Sequence, residues 1–246
     1  MVRQLLEDSL VRHRSILPGF FTLLNLFCGF LAIIKFAEAS YMAGCWFITF
    51  AAFFDILDGQ LARFTQSSTE FGIEFDSLAD MVSFGVAPSV LLYTIYYHTM
   101  GVLGMVVSFF PLIFGGVRLA RFNVNYSNKK KIKFYGLPIP ISALTISSFV
   151  MFNYTYWGQL HLTRFIGHQI VIICLLMIST IEYHGFMKIS FKEGKSHSIS
   201  VVVMLTSFLL IVLFPYNMLY PLCMLYIVIG IVEHFLKLTR SRTSKS

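Results

Sequence analysis

Stretches of about 20 apolar residues recur along most of this chain, and they leave few folds open. In water such a stretch must be covered all round by other protein. In a bilayer it needs only a helical backbone that satisfies its own hydrogen bonds. The runs place helices near residues 18–36, 40–63, 77–98, 101–122, 138–157, 165–183, 197–214 and 216–236. Only 13% of the 246 residues are charged, about half the share of a soluble domain. The expected fold is all-α, a polytopic membrane helix bundle of about eight transmembrane helices, with little chain left for a soluble domain. Residues 18–236 are expected to form a single transmembrane domain, with 1–17 an N-terminal segment and 237–246 a tail.

The basic residues set the orientation. All 19 lysines and arginines except Lys35 and Arg164 fall on one side of these spans. Lipid-facing charge asymmetry of that kind places the basic side, and with it both termini, in the cytoplasm. An odd number of spans would break the asymmetry. The net charge of +7 is therefore read as loops facing anionic lipid, and no nucleic-acid partner is implied. Residues 1–17 lack the apolar core of a cleavable leader, so the first span is expected to act as its own insertion signal. Cys28, Cys45, Cys174 and Cys223 each sit in an apolar run, with no C-x-x-C pair to suggest zinc or a disulfide framework.

One segment departs from the apolar pattern. Asp55, Asp58, Asp76 and Asp80 lie close together in a sequence otherwise fit for lipid, and acidic residues at membrane depth are costly and mark function. Asp55, Asp58 and Ala62 share one helical face, as do Gly72, Asp76 and Asp80. A short polar stretch from Thr65 to Glu70 reverses the chain between them. Two antiparallel helices would so turn four carboxylates toward each other, and four that close cannot all ionise without a cation. Hard oxygen ligands suit Mg2+ or Mn2+. Gly59 and Gly72 would let a ligand approach the backbone. Arg63, one turn past Asp58, offers a fork for phosphate or a counter-charge for the acids. Together these point to a pyrophosphate or nucleotide substrate. The rival readings are a buried acidic network, which Arg63 alone could not neutralise, and an ion-coupled transporter.

The order Asp55-x2-Asp58-Gly59-x2-Ala62-Arg63-x8-Gly72-x3-Asp76-x3-Asp80 resembles the signature of the CDP-alcohol phosphotransferases at every fixed position and every gap. The resemblance covers about the first 140 residues. It implies that Asp55, Asp58 and Asp76 ligate a pair of divalent metals. Asp80 would be the general base and a further metal ligand. Gly59, Arg63 and Thr69 would contact the CDP moiety, with Gly72 beside it. Pro18-Gly-Phe-Phe-Thr22-Leu-Leu-Asn25 resembles the segment that lines the nucleotide pocket, which assigns Thr22 and Asn25 to the CDP-alcohol. Many members have Asn after that proline, where this chain has Gly19. The resemblance also implies an inner-membrane location and a homodimer.

Two further segments, Arg118-Leu-Ala-Arg121-Phe122-Asn123 and Phe134-Tyr135-Gly136-Leu137-Pro138-Ile139-Pro140, resemble the branch of the family that uses serine. The implied reaction moves the phosphatidyl group of CDP-diacylglycerol, a membrane lipid, to the hydroxyl of L-serine. A carboxylate acceptor needs fixed cations, and Arg118, Arg121 and Lys133 are the candidates. The arginines could equally snorkel to lipid headgroups, and the Gly-Leu-Pro-x-Pro stretch reads as a shaped helix entry. Glycerol 3-phosphate would suit the same cations. Glu182-Tyr183-His184-Gly185-Phe186 departs from the Arg-Tyr-Pro-like stretch expected there.

Overall fold

The computed structural model describes residues 2–65, 69–127, 136–160, 163–183 and 213–243, and the regular elements among them are helical. They fall into two compact units, Met1–Lys130 and Lys131–Ser246. The first unit holds α1 (Val2–Ala37), α2 (Tyr41–Thr65), α3 (Glu70–Asp80), a π-helical turn (Met81–Val86), α4 (Ala87–Ile95), a 3-10 turn (Tyr97–Met100) and α5 (Gly101–Ser127). The second holds α6 (Ile139–Trp157), α7 (Thr163–Ile178) and α8 (Pro215–Thr243).

Among the described residues, five helical stretches are long and apolar enough to cross a membrane: Gly19–Ala37, Tyr41–Ala62, Glu70–Ile95, Tyr97–Val124 and Pro215–Lys237. This is a membrane-embedded helical protein. The span expected at 197–214 lies outside the described residues. Phe165–Ile178 in α7 is apolar but shorter. α6 has the length, but its serines, threonines and asparagine lower its apolarity. The third span begins at Glu70 rather than near 77, because Thr69 caps α3. Its hydroxyl accepts the Gly72 N–H at 3.0 Å, and Glu70 faces the positive end of the helix dipole.

α1 shows how the unit is organised. Phe20, Leu23, Phe27 and Phe30 form an exposed stripe, while Thr22, Asn25, Ala32 and Phe36 are buried on the other side. Apart from Phe36, the larger apolar side chains named point outward and small or polar ones inward, the arrangement of a helix solvated by lipid. The helix ends in a Schellman turn: Ser40 N–H bonds the Lys35 carbonyl (2.8 Å) and Ala39 N–H that of Phe36 (3.1 Å). Ala39 takes the left-handed conformation (φ 58°) that closes such a turn. α2 then returns against α1, and Gly44 is in contact with Phe36, leaving no room there for a Cβ.

α1 also crosses the π turn at close range. A Cβ on Gly29 would collide with the Ser83 side chain and backbone. The widened turn has a local cause in Pro88, near the start of α4. Proline removes a helical N–H and crowds the carbonyl four residues back, and here Ala87 N–H bonds back to the Val82 carbonyl, a π spacing.

In the second unit, Gly136 (φ 80°) and Leu137 are tied to the end of α7 and beyond. Gly136 N–H bonds the Ile181 carbonyl (2.9 Å) and Leu137 N–H that of Leu176 (3.0 Å). A Cβ on Gly136 would strike the Met177 carbonyl. Pro138 and Pro140 then open α6, so the Gly-Leu-Pro-x-Pro stretch is a shaped helix entry, as expected. α6 is buried along most of its length and packs against α8, with Phe149 and Tyr220 rings 5.3 Å apart. Tyr183 stacks on Tyr226 and lies against Gly230.

Candidate active site

Asp55 on α2 and Asp76 and Asp80 on α3 converge, with one carboxylate oxygen from each within 4.8 Å of the others. Asp58, one turn along α2 from Asp55, is 6% exposed and Asp80 8%. Three of the four motif aspartates are thus brought together, with Asp58 outside that group, and the packing differs from the expected antiparallel pair. α2 and α3 do not pack closely on each other; α1 packs against both. Side chains rather than backbones close the gap between them. The reason lies on α1, whose inner face is small or polar where the acids reach it.

Two hydrogen bonds from α1 anchor the acids. The Thr22 hydroxyl donates to Asp58 Oδ2 (2.5 Å), and the Asn25 amide donates to Asp80 Oδ1 (3.1 Å). The Asn25 main-chain carbonyl accepts from the Ser83 hydroxyl (2.9 Å), which fixes α1 to the π turn beside Asp80. Arg118 reaches the cluster from α5 and attracts both Asp55 and Asp80. It is the only sequence-designated acceptor residue that the structure brings to the acids among those described. Arg121 is exposed on the same helix. The Arg63 side chain and Lys133 lie outside the described residues.

The remaining nucleotide candidates cluster at one end. Gly59 is half-buried directly after Asp58. Thr69 and Gly72 form the exposed start of α3, joined by the capping hydrogen bond. Thr22 and Asn25 differ from these: they are buried, and their donors go to aspartates.

The donor set fits a hard cation. Asp58 Oδ1 and Asp76 Oδ1 are buried and have no hydrogen-bond partner. A buried carboxylate oxygen without a donor is costly unless a cation takes its place. All ligands offered are oxygen, which suits a divalent ion such as Mg2+ or Mn2+.

Sequence reasoning missed Ser83 and the joint between α3 and α5. The Asn123 amide donates to Glu74 Oε2 (3.1 Å) and to Ser77 Oγ (3.1 Å). In the sequence Asn123 stands only as part of a family-like segment. Glu74 and Ser77, two and one positions from Asp76, were the available signal for the joint, while Ser83 and Asn123 offered none.

Residues 15–181 match the family described as CDP-alcohol phosphatidyltransferase. The CDP-diacylglycerol–serine O-phosphatidyltransferase of Helicobacter pylori (strain J99) is 36% identical over 218 residues, covering 88% of this chain and 90% of that protein. That of Bacillus subtilis is 33% identical over 172 residues, 70% of this chain and 92% of the relative. The archaetidylserine synthase of Methanothermobacter thermautotrophicus is 36% identical over 181 residues, 73% of this chain and 74% of the relative.

Proposed function

The chain belongs to the CDP-alcohol phosphatidyltransferase family, and on that premise we propose that it transfers the phosphatidyl group of CDP-diacylglycerol to the hydroxyl of L-serine, giving phosphatidylserine and CMP. The observation that carries the chemistry is the convergence of Asp55, Asp76 and Asp80 beside Arg118. Family membership also disposes of the transporter reading. Relatives bearing two different lipid names, phosphatidyl and archaetidyl, share serine, and this supports the acceptor.

Asp55, Asp58, Asp76 and Asp80 would hold Mg2+ or Mn2+, as a pair of ions. A divalent cation bound there neutralises pyrophosphate oxygens and makes CMP a better leaving group. Asp80 accepts the proton of the serine hydroxyl as that oxygen bonds to the lipid-linked phosphorus. The bond from this phosphorus to the CMP oxygen breaks, and CMP departs. Gly59, Arg63, Thr69 and Gly72 meet the CDP moiety. Arg118 is placed to pair with the serine carboxylate, aided by Arg121 and Lys133. The basic residues on one side of the spans support eight spans, cytoplasmic termini and a site facing the cytoplasm at the inner membrane. The family match crosses from one compact unit into the other, which supports one transmembrane domain over 18–236.

The test is CMP release from CDP-diacylglycerol in detergent micelles by the purified protein. Release is expected with serine and Mg2+ or Mn2+, and not with glycerol 3-phosphate or inositol in place of serine. Equal release without serine would overturn the acceptor assignment.

A further inference from the structure

We infer that Thr22 and Asn25 are positioning residues that brace two of the motif aspartates, and that neither contacts the nucleotide. The inference rests on the proposed reaction for the meaning of Asp58 and Asp80, but on geometry alone for the brace. The two residues lie one turn apart on the inner face of α1. They are 2% and 0% exposed, so neither presents a surface to a substrate. Each directs a side-chain donor at a carboxylate on a different helix: Thr22 at Asp58 on α2, Asn25 at Asp80 on α3.

The chemistry of the donors matters. A hydroxyl and an amide orient a carboxylate without cancelling its charge, so it keeps its capacity for a cation or a proton. A lysine or arginine in either place would compete with both. Among the described residues the Asn25 amide oxygen, Oδ1, is buried without a hydrogen-bond partner. Turned over, the amide would set oxygen against oxygen, so Asp80 holds it in its observed sense. The backbone of the brace is fixed as well, by the Ser83 hydroxyl on the Asn25 carbonyl. The close approach at Gly29 holds α1 at that distance from the π turn. α1 therefore sets the spacing between acids on helices that do not themselves pack together.

The experiment uses the full-length protein in detergent, with Thr22→Val and Asn25→Leu, which keep side-chain volume nearly constant while removing the donor. Mn2+ affinity is read by paramagnetic resonance, CMP affinity by calorimetry, and kcat and KM by CMP release. Loss of a partner that orients ligands costs about 10–100-fold in metal affinity or activity. A loss of that size is expected in Mn2+ affinity or kcat, with CMP affinity and the KM for CDP-diacylglycerol near wild type. Thr22→Ser, which restores the hydroxyl, should recover most of it, and this arm stands even if Asn25→Leu does not fold. Weakened CMP binding with kcat and Mn2+ affinity intact would overturn the inference, as would equal losses in Thr22→Val and Thr22→Ser. If wild type releases no CMP in response to serine, the reaction falls, while Mn2+ affinity still judges the brace.

Discussion

Two buried polar regions in this protein have opposite designs. In α6, Ser142, Thr145, Ser148 and Asn153 are buried, and each bonds a carbonyl of its own helix three or four residues back. In the acid cluster the bonds run between helices, and one oxygen each of Asp58 and Asp76, Oδ1 in both, remains without a donor. Hydroxyls that satisfy themselves locally make a helix small and packable at little cost. Carboxylates that cannot satisfy themselves need something from outside the chain. The contrast separates polar residues that serve packing from those that serve chemistry, where composition treats both as departures from apolarity.

The largest expected effect breaks the chemical side. Asp80→Asn should lower kcat by about 10²–10⁴-fold, the usual worth of a positioned general base, as read by CMP release. Its melting temperature should stay close to wild type. Full turnover in that variant would remove Asp80 from the reaction.

Chelation comes next. Removing divalent ions should abolish transfer and Mn2+ should restore it, while α6 packing, followed by tryptophan emission from Trp157 at its end, stays constant. In the metal-free protein, Asp76→Asn should raise thermal stability by an amount on the order of 1 kcal/mol, because it removes charge repulsion that no cation relieves. A fall in stability would place the cluster with α6 as a structural network.

Smaller effects test the packing. Gly29→Leu drives a side chain into Ser83 and should destabilise the protein by about 1–3 kcal/mol, with activity lost through displacement of Asn25. Ser142→Ala removes a hydroxyl bonded to the Ile139 carbonyl of its own helix and should cost about 1 kcal/mol or less, with kcat unchanged. A large loss of activity from Ser142→Ala would erase the distinction between the two regions.

The aspartates were legible because helical spacing places them without reference to any neighbour. Asp55 and Asp58 share a face by their separation alone, as do Asp76 and Asp80. Most span positions were legible because a run of apolar residues reports its solvent directly. The start of α3 was not, since the cap at Thr69 outweighs the polar character of Glu70 and Glu74. The role of α1 was not either. Thr22 and Asn25 resemble a segment that lines a pocket, and nothing in their order shows that α1 packs against both α2 and α3. Ser83 was silent because its importance comes from the glycine opposite it on another helix.

Sequence by itself determined that this chain is a helical membrane protein, that four acids share helical faces, and which family it belongs to. The first two follow from composition and periodicity, which act along the chain, and the family follows from the likeness of the Asp55–Asp80 motif to known members. Tertiary structure alone decided that Arg118 joins Asp55 and Asp80, that α1 braces the acids, and that the α6 hydroxyls fall back on carbonyls of their own helix. Those outcomes depend on how closely helices cross, and crossing distance is set by pairs such as Gly29 and Ser83 that lie far apart in sequence.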